Sequence, residues 1–540
     1  MLSGVLQVLP FPIAGPVPAW RTAIAWVAVV PLLLALVSNG RDGKPLRVRD
    51  VALLGYLCGF IWYLGNCYWI YQTMHLYGGL AAPVAAGVLV LFCLYLGLYH
   101  ALFGAMIGLL RCSRRLGRSG ALVAAPFVWV AVELARARIT GFPWDLMGNA
   151  HVDNSLLTLV APWGGVYAMS LFLVLANAQL ASFFVFKEPV LRWQALGTGV
   201  LMVLFFRVGG HHVLFVPPAP VPTARAVLVQ ENIEVGAANV ERLSTADELR
   251  MFAQLSKRPV ASAMPAIISA GGEQAVVRDV SPTLVVWPEA PSGFQTNDPS
   301  FTAAMGTLAL DTHASVIAGS LGVVADREAE RGYRLYDSAA FFSAEGADAG
   351  RYDKVHLVPW GEYIPFKEFF FFAKKLTAGV GDMDRGRGRK LFEADGKKYG
   401  VFICYESIFA DEVRQFVKEG AEVLVNISDD GWYGDTGAPW QHLNMVRMRA
   451  IENRRWILRS TNTGVTVSID PYGRVFESAP RHVRTAVAMD FGYESGVTFY
   501  TKFGDVFAYL CAAGTLILCG LALQSRYRKS RFGETPSGLK

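Results

Sequence analysis

At 540 residues the chain is long enough for two or three domains of ordinary size. Apolar residues make up 53% of it, charged residues only 17%, and mean hydropathy is +0.33. That excludes a simple soluble protein and points to several membrane spans. The net charge of +6 is modest for this length, so what matters is where the charges sit.

In chain order, apolar runs of membrane-crossing character lie near 2–17, 21–38, 51–71, 80–110, 119–138, 156–185 and 191–208, with an eighth over 503–523. Roughly twenty apolar residues cross a hydrocarbon core, and most of these runs qualify, although 2–17 is short and broken by prolines. Its lack of a charged leader or a clear small-residue cleavage site reads as a retained segment. Basic residues cluster after the second run (Arg41, Lys44, Arg47, Arg49), the fourth (Arg111, Arg114, Arg115, Arg118) and the sixth (Lys187, Arg192). The tail adds Arg526, Arg528, Lys529 and Arg531. Eight spans put all four groups on one side, which the positive-inside rule makes the cytoplasm. The polar segment between the last two runs is then exported. The expected division is a membrane domain over 1–212, an exported domain over 213–500, a last span over 501–525 and a cytoplasmic tail over 526–540.

From residue 223 the texture changes. The segments ARAVLVQENI, TLVVWPEA, ASVIAGSLGVV, YGVFICYESI and AEVLVNISDD read as buried strands, apolar for four to six residues and then polar. DEVRQFVKEG and WQHLNMVRMRAIENRRWIL between and after them carry helical spacing. Strands alternating with helices make an α/β domain, whose sites assemble just past strand ends.

Three residues there stand out chemically. Glu289 follows LVVWP, Lys354 lies in YDKVHLVPWGEYIP, and Cys404 follows GVFI. A thiol becomes a good nucleophile once a base takes its proton, and a carboxylate in a dry pocket serves as that base. A lysine ammonium, with the backbone N–H after the cysteine, stabilises a tetrahedral oxyanion. Taken alone, each residue has a plainer reading: a cysteine ending a strand is usually a small core hydrophobe, the lysine a surface charge, the glutamate a helix cap. A disulfide is disfavoured, because the other six cysteines lie in or beside the apolar runs.

VVWPEA, YDKVHLVPWGEYIP and ICYESIF resemble the three catalytic segments of the nitrilase, or carbon–nitrogen hydrolase, superfamily. TGFPW at 140–144 and PWQHLNMVRMRAIENRRWILRSTNTG at 439–464 are similar to its membrane-embedded branch, the apolipoprotein N-acyltransferases. The resemblance implies an αββα sandwich carrying a Glu289–Lys354–Cys404 triad, with Glu362, Tyr405 and Glu406 in support. It implies acyl transfer from a phospholipid, usually phosphatidylethanolamine, through a cysteine thioester to the N-terminal amine of a diacylglyceryl-modified apolipoprotein. It places the chain in the bacterial inner membrane with the catalytic domain in the periplasm, as an expected monomer needing no metal or organic cofactor. SDDGWYG, with Asp429 and Tyr433, departs from the Asn-Asp or Asn-Gly usual before WFG in this branch, which puts local substrate contacts in question.

Other signals are weaker. FKEFFFFAKKL offers Phe369, Phe370, Phe371 and Phe372 as a lid at the headgroup level, or as plain core. DRGRGRK at 384–390 reads as a basic loop facing lipid phosphates, since an exported domain has no nucleic acid to bind. His356 and His442 read as structural. Two rival classes share parts of the pattern. A membrane-anchored amidase would keep the triad and use water to resolve the thioester. A transporter would need more ionisable residues in its spans than Glu133 and Asp145, near an outer end.

Overall fold

The computed structural model describes residues 1–40, 42–113, 115–209, 217–218, 220–235, 243–261, 281–289, 292–329, 331–363 and 382–532. The chain divides into two compact units, one of residues 1–68, 86–215 and 503–540, the other of 69–85 and 216–502. Residues 69–85, which the sequence reading assigns to the membrane part, fold with the α/β unit.

Among the described residues seven helices are long and apolar enough to cross a membrane: Ala19–Val37, Val48–Asn66, Ala82–Arg111, Gly117–Thr140, Leu157–Val185, Pro189–Val208 and Val506–Ser525. The expected span over 2–17 is instead a seven-residue helix, Leu2–Val8. At 1.5 Å per residue it reaches about 10 Å, a third of a hydrocarbon core. Pro10, Pro12, Pro16 and Pro18 lack the N–H groups that would continue it. Among the described residues the spans therefore number seven, not the expected eight. The helix Ala19–Val37 is itself interrupted before Pro31, and the backbone N–H groups freed at Val29 and Val30 donate to Asn177 Oδ1 (2.8 and 3.2 Å). Asn177 Nδ2 returns a bond to Ala25 O at 2.9 Å, so one side chain pairs backbone groups on both sides of the break. Small residues let helices touch: a Cβ on Gly104 would come within 2.6 Å of Val51 O.

The α/β unit is built on two sheets. Its strands are β1 (Ala224–Gln230), β2 (Val260–Ala261), β3 (Leu284–Val286), β4 (Ser315–Ala325), β5 (Tyr333–Phe342), β6 (Asp348–Asp353), β7 (Leu391–Ala394), β8 (Lys397–Ile403), β9 (Val423–Ser428), β10 (Ile457–Thr461), β11 (Val467–Ile469), β12 (Val475–Ser478) and β13 (Thr485–Phe491). One sheet runs β2-β13-β1-β3-β4-β5-β6, the other β12-β11-β10-β9-β8-β7. Strand alternation sorts the core into layers. Ala226 and Leu228 of β1 join Ile317, Phe341, Val401, Ile403, Val425 and Leu458 in one buried cluster shared by both sheets. Val227 and Val229, on the other face, pack with Leu249, Phe252, Phe301 and Leu308 of the helices Thr245–Ser256 and Pro299–Thr312. The helices Ala410–Lys418 and Ala438–Asn453 accompany the second sheet, completing the expected αββα sandwich. The helical pattern read through residue 458 stops earlier: Arg454 takes a left-handed φ of 51°, and Ile457 enters β10 to pair in parallel with Leu424 of β9. Strand pairing in the buried sheet overrides the local helical spacing.

Candidate active site

Parallel pairing of β1, β3 and β4, and of β8, β9 and β10, points several strand ends the same way in each sheet. Glu289 follows β3, Lys354 follows β6 and Cys404 follows β8. The structure brings all three together. Lys354 is fully buried, and its Nζ donates to Glu289 Oε1 (2.8 Å), Glu362 Oε1 (2.6 Å) and Asp337 Oδ2 (2.9 Å). The other oxygen of Glu289 accepts the backbone N–H of Asp429 at 2.7 Å, and the other oxygen of Glu362 that of Val358 at 2.9 Å. Carboxylate oxygens of Glu289, Asp337 and Glu362 lie within 4.8 Å of one another, close enough to grip a cation. The cation they hold is the lysine ammonium.

The charges set the protonation states. Burial by itself would raise the Glu289 carboxyl, but the Lys354 charge and hydrogen bonds from Asp337, Lys354 and Cys404 outweigh it and hold the group below the ordinary glutamate range. Burial likewise opposes the charge of Lys354, yet Asp337, Glu289 and Glu362 together keep the ammonium firmly protonated. Burial first, then the neighbouring Glu289, pushes the Cys404 thiol well up, with Lys354 offsetting part of it. At rest Cys404 is therefore a thiol beside an ionised Glu289, not a preformed thiolate.

Cys404 opens a 3-10 turn over Cys404–Ile408 and has φ of 47°, a left-handed conformation uncommon for a side chain of this kind. Glu406 holds that turn. Its Oε2 accepts Ile403 N (2.8 Å), and its Oε1 accepts the Tyr352 hydroxyl (2.7 Å), Val355 N (2.7 Å) and His356 N (3.2 Å). One buried carboxylate thus ties the cysteine turn to the segment carrying Lys354. Behind the turn, His442 Nε2 sits 2.6 Å from Ser407 Oγ and 3.1 Å from Cys404 O, while its Nδ1 meets Asp430 Oδ1 at 2.9 Å. Arg459 donates to the other oxygen of Asp430 at 2.6 Å. His442 and Asp430 are buried, and burial lowers the imidazole pKa, leaving the ring neutral. The sequence reading passed over Asp337, Asp430 and this role of His442. An aspartate inside the apolar run of β5 was the available signal for the first.

Tyr405 is buried with its ring edge-on to Phe409, centroids 5.3 Å apart. Asp429 is turned inward, its Oδ1 accepting Gly431 N (2.9 Å) and Asn462 Nδ2 (3.1 Å), and burial followed by the nearby Glu289 pushes its carboxyl up to about 7. Tyr433 is buried, edge-on to Trp69 (5.1 Å) and to His442 (6.0 Å). In the 384–390 loop Arg389 is paired with Glu412 at 2.6 Å, which counts against a loop devoted to lipid phosphates. The proposed lid residues Phe369, Phe370, Phe371 and Phe372 lie outside the described residues.

Two family matches cover most of the chain: residues 3–179 match the apolipoprotein N-acyltransferase N-terminal domain, and residues 236–490 match the carbon-nitrogen hydrolase family. An apolipoprotein N-acyltransferase of Geobacter metallireducens is 32% identical over 534 residues, covering 97% of this chain and 95% of that one. The chain belongs to the apolipoprotein N-acyltransferase family. A relative of the same description from Bordetella bronchiseptica is 31% identical, with 98% and 96% covered. Among solved structures, Saccharomyces cerevisiae Nit3, a member of branch 10 of the nitrilase superfamily, matches with a TM-score of 0.36 at 16% identity, over 51% of this chain and 93% of that one. The family assignment rests on relatives matched from end to end, so both the membrane helices and the α/β unit come under it.

Proposed function

We propose that Cys404, Glu289 and Lys354 carry the family's N-acyl transfer in two half-reactions. As a member of the family the chain is an acyltransferase of lipoprotein maturation. In the first half-reaction the Cys404 sulfur attacks the acyl ester carbonyl of a phospholipid, taken to be phosphatidylethanolamine, while Glu289 accepts the thiol proton. The oxyanion so formed lies between Lys354 and the backbone N–H of Tyr405. Its collapse breaks the ester bond, and Glu289 returns the proton to the departing alkoxide of the lysolipid. In the second half-reaction the α-amine of the diacylglyceryl-cysteine attacks the thioester and gives a proton to Glu289. The thiolate leaves and takes that proton back, so the amide forms and the enzyme returns to its starting state.

The observation that carries this reading is that Glu289 is shared between the thiol and Lys354, whose three N–H bonds are all committed to carboxylates at rest. When Glu289 takes the thiol proton it becomes a poor acceptor. One N–H of Lys354 is then released just as the oxyanion appears. Glu362 and Asp337 keep the ammonium in place meanwhile. The catalytic unit is assigned to the periplasmic face of the inner membrane because the positive-inside rule assigns the basic loops to the cytoplasm. The enzyme is taken to act as a monomer.

Mass spectrometry of the purified protein tests the chemistry. A fatty-acyl adduct on Cys404, discharged by a diacylglyceryl-cysteinyl peptide and absent from Cys404→Ser, is expected. Release of free fatty acid at the same rate with and without the peptide would make the protein a hydrolase instead.

A further inference from the structure

The three carboxylates around Lys354 differ in one respect that bears on the reaction. Both oxygens of Glu289 receive N–H donors, from Lys354 and Asp429, and both oxygens of Glu362 receive them, from Lys354 and Val358. Asp337 receives one, from Lys354 on Oδ2; among the described residues no N–H meets its Oδ1. Three carboxylates, Asp337 buried and Glu289 and Glu362 nearly so, do not all stay ionised around a single ammonium, because like charges this close and this poorly solvated force one to keep its proton. At rest a proton sits at least cost on an oxygen that faces no N–H, since a proton on Glu289 or Glu362 would displace a bond already made. Only Asp337 offers such an oxygen, and its carboxyl lies within 4.8 Å of that of Glu289, where the two interact as hydrogen-bonding partners.

We propose that Asp337 is the proton-bearing carboxyl of the Lys354 cluster, and that it acts as a positioning residue by donating a hydrogen bond to Glu289 that keeps this base ionised and aimed at the thiol. The fold places it for this. Ser338 pairs with Asp353 in the β5–β6 ladder, so Asp337 falls opposite Lys354, and Lys354 N donates to Asp337 O at 2.8 Å. On its other side β4 opposes it with Leu321, which brings no charge. The titratable groups facing it are Lys354, Glu289 and Glu362. Burial first, then the two glutamates, raise the Asp337 carboxyl well above the usual range despite Lys354, in keeping with a neutral acid at pH 7. A carboxylic acid held neutral so that it can donate is a recognised device for tuning a neighbouring group.

This rests on Glu289 serving as the base in the proposed reaction, and the experiment keeps the two apart. Infrared spectra of the full-length protein in detergent, in H2O and D2O, report the C=O stretch of protonated buried carboxyls without any turnover. Beside the bands of other raised carboxyls such as Asp429, the inference expects an isotope-sensitive band that is lost in Asp337→Asn alone and that, in the wild type, fades only as the pH becomes alkaline. In parallel, thioester formation on Cys404 from a fluorescent phospholipid is followed against pH for both proteins. The wild type should lose rate on the alkaline side, where Asp337 ionises and sets a further negative charge against Glu289. Asp337→Asn, whose amide still donates, should be slowed by about threefold to tenfold and should lack that alkaline limb. An unchanged infrared spectrum overturns the inference. So does a loss beyond a hundredfold with the acid limb moved to lower pH, because that is the signature of an ionised Asp337 whose charge has been removed. If the wild type forms no thioester at all, the proposed function fails, while the infrared band still decides where the proton sits.

Discussion

Replacing Glu406 with glutamine alters one atom and tests what holds the Cys404 turn. The Glu406 carboxylate receives three donors on Oε1, from Tyr352, Val355 and His356, and one on Oε2, from Ile403. A glutamine oxygen placed toward the three leaves its NH2 against the Ile403 N–H, donor facing donor. An unpaired buried N–H costs about 1–3 kcal/mol. Removing the charge gives some of this back, since burial is what pushes the Glu406 carboxyl up. The net loss is then about 1–2 kcal/mol. Ile403 precedes Cys404, whose left-handed φ is itself held at a cost, so the loss falls on the placement of the thiol. If it is expressed entirely in the attacking geometry, thioester formation slows about fivefold to thirtyfold. A domain of this size should also melt about 2–4 °C lower per kcal/mol. The assay is single-turnover acylation of Cys404 by a fluorescent phospholipid in mixed micelles, with thermal unfolding on the same preparation. A Glu406→Gln protein matching the wild type in both would show that the carboxylate does not hold the turn, and the argument from its four donors would be wrong.

Glu289→Gln should abolish acylation of Cys404 while leaving the protein folded, because the thiol sits high and Glu289 is the ionised carboxylate that acts on it most strongly; full acylation at pH 7 would name another base. The wild-type rate should hold as pH falls toward the ordinary glutamate pKa of about 4.3 and drop only below it, since Glu289 is held lower; a limb near pH 6 would contradict this. Asp430 is also held below the usual range, by Arg459 and His442 against the opposing effect of burial, so its stabilisation is complete above about pH 4 and is lost as pH falls through the depressed value. The gap in melting temperature between wild type and Asp430→Asn should accordingly be full at pH 7 and close under acid, and a gap independent of pH would remove the Arg459–Asp430 ion pair from the account. Reporter fusions after residues 45, 115 and 190 should read cytoplasmic and fusions within 223–500 periplasmic; the reverse pattern would overturn the assigned orientation.

Membrane character was legible in the sequence because hydropathy is a local property, and a twenty-residue apolar run declares itself wherever it lies. The strand ends before Glu289 and Cys404 were legible for a similar reason: short β-branched runs stop at Pro or a polar turn. Pro10, Pro12, Pro16 and Pro18 were visible too, yet whether 2–17 crossed or stopped after Val8 depended on backbone the chain builds around them. What only the tertiary structure decided are the relations between distant residues. Lys354 meets Glu289 across 65 positions and Asp429 meets Glu289 across 140, and no periodicity within either segment encodes such a pairing. The same holds for Asp337, which reads as one acid in a greasy strand until the β5–β6 register sets it against Lys354. Residues 454–458 continue a helical pattern locally and become the entry to β10 because β9 lies beside them. Backbone hydrogen bonds and buried charges are settled by whichever partner arrives in space, and that arrival is a property of the whole fold.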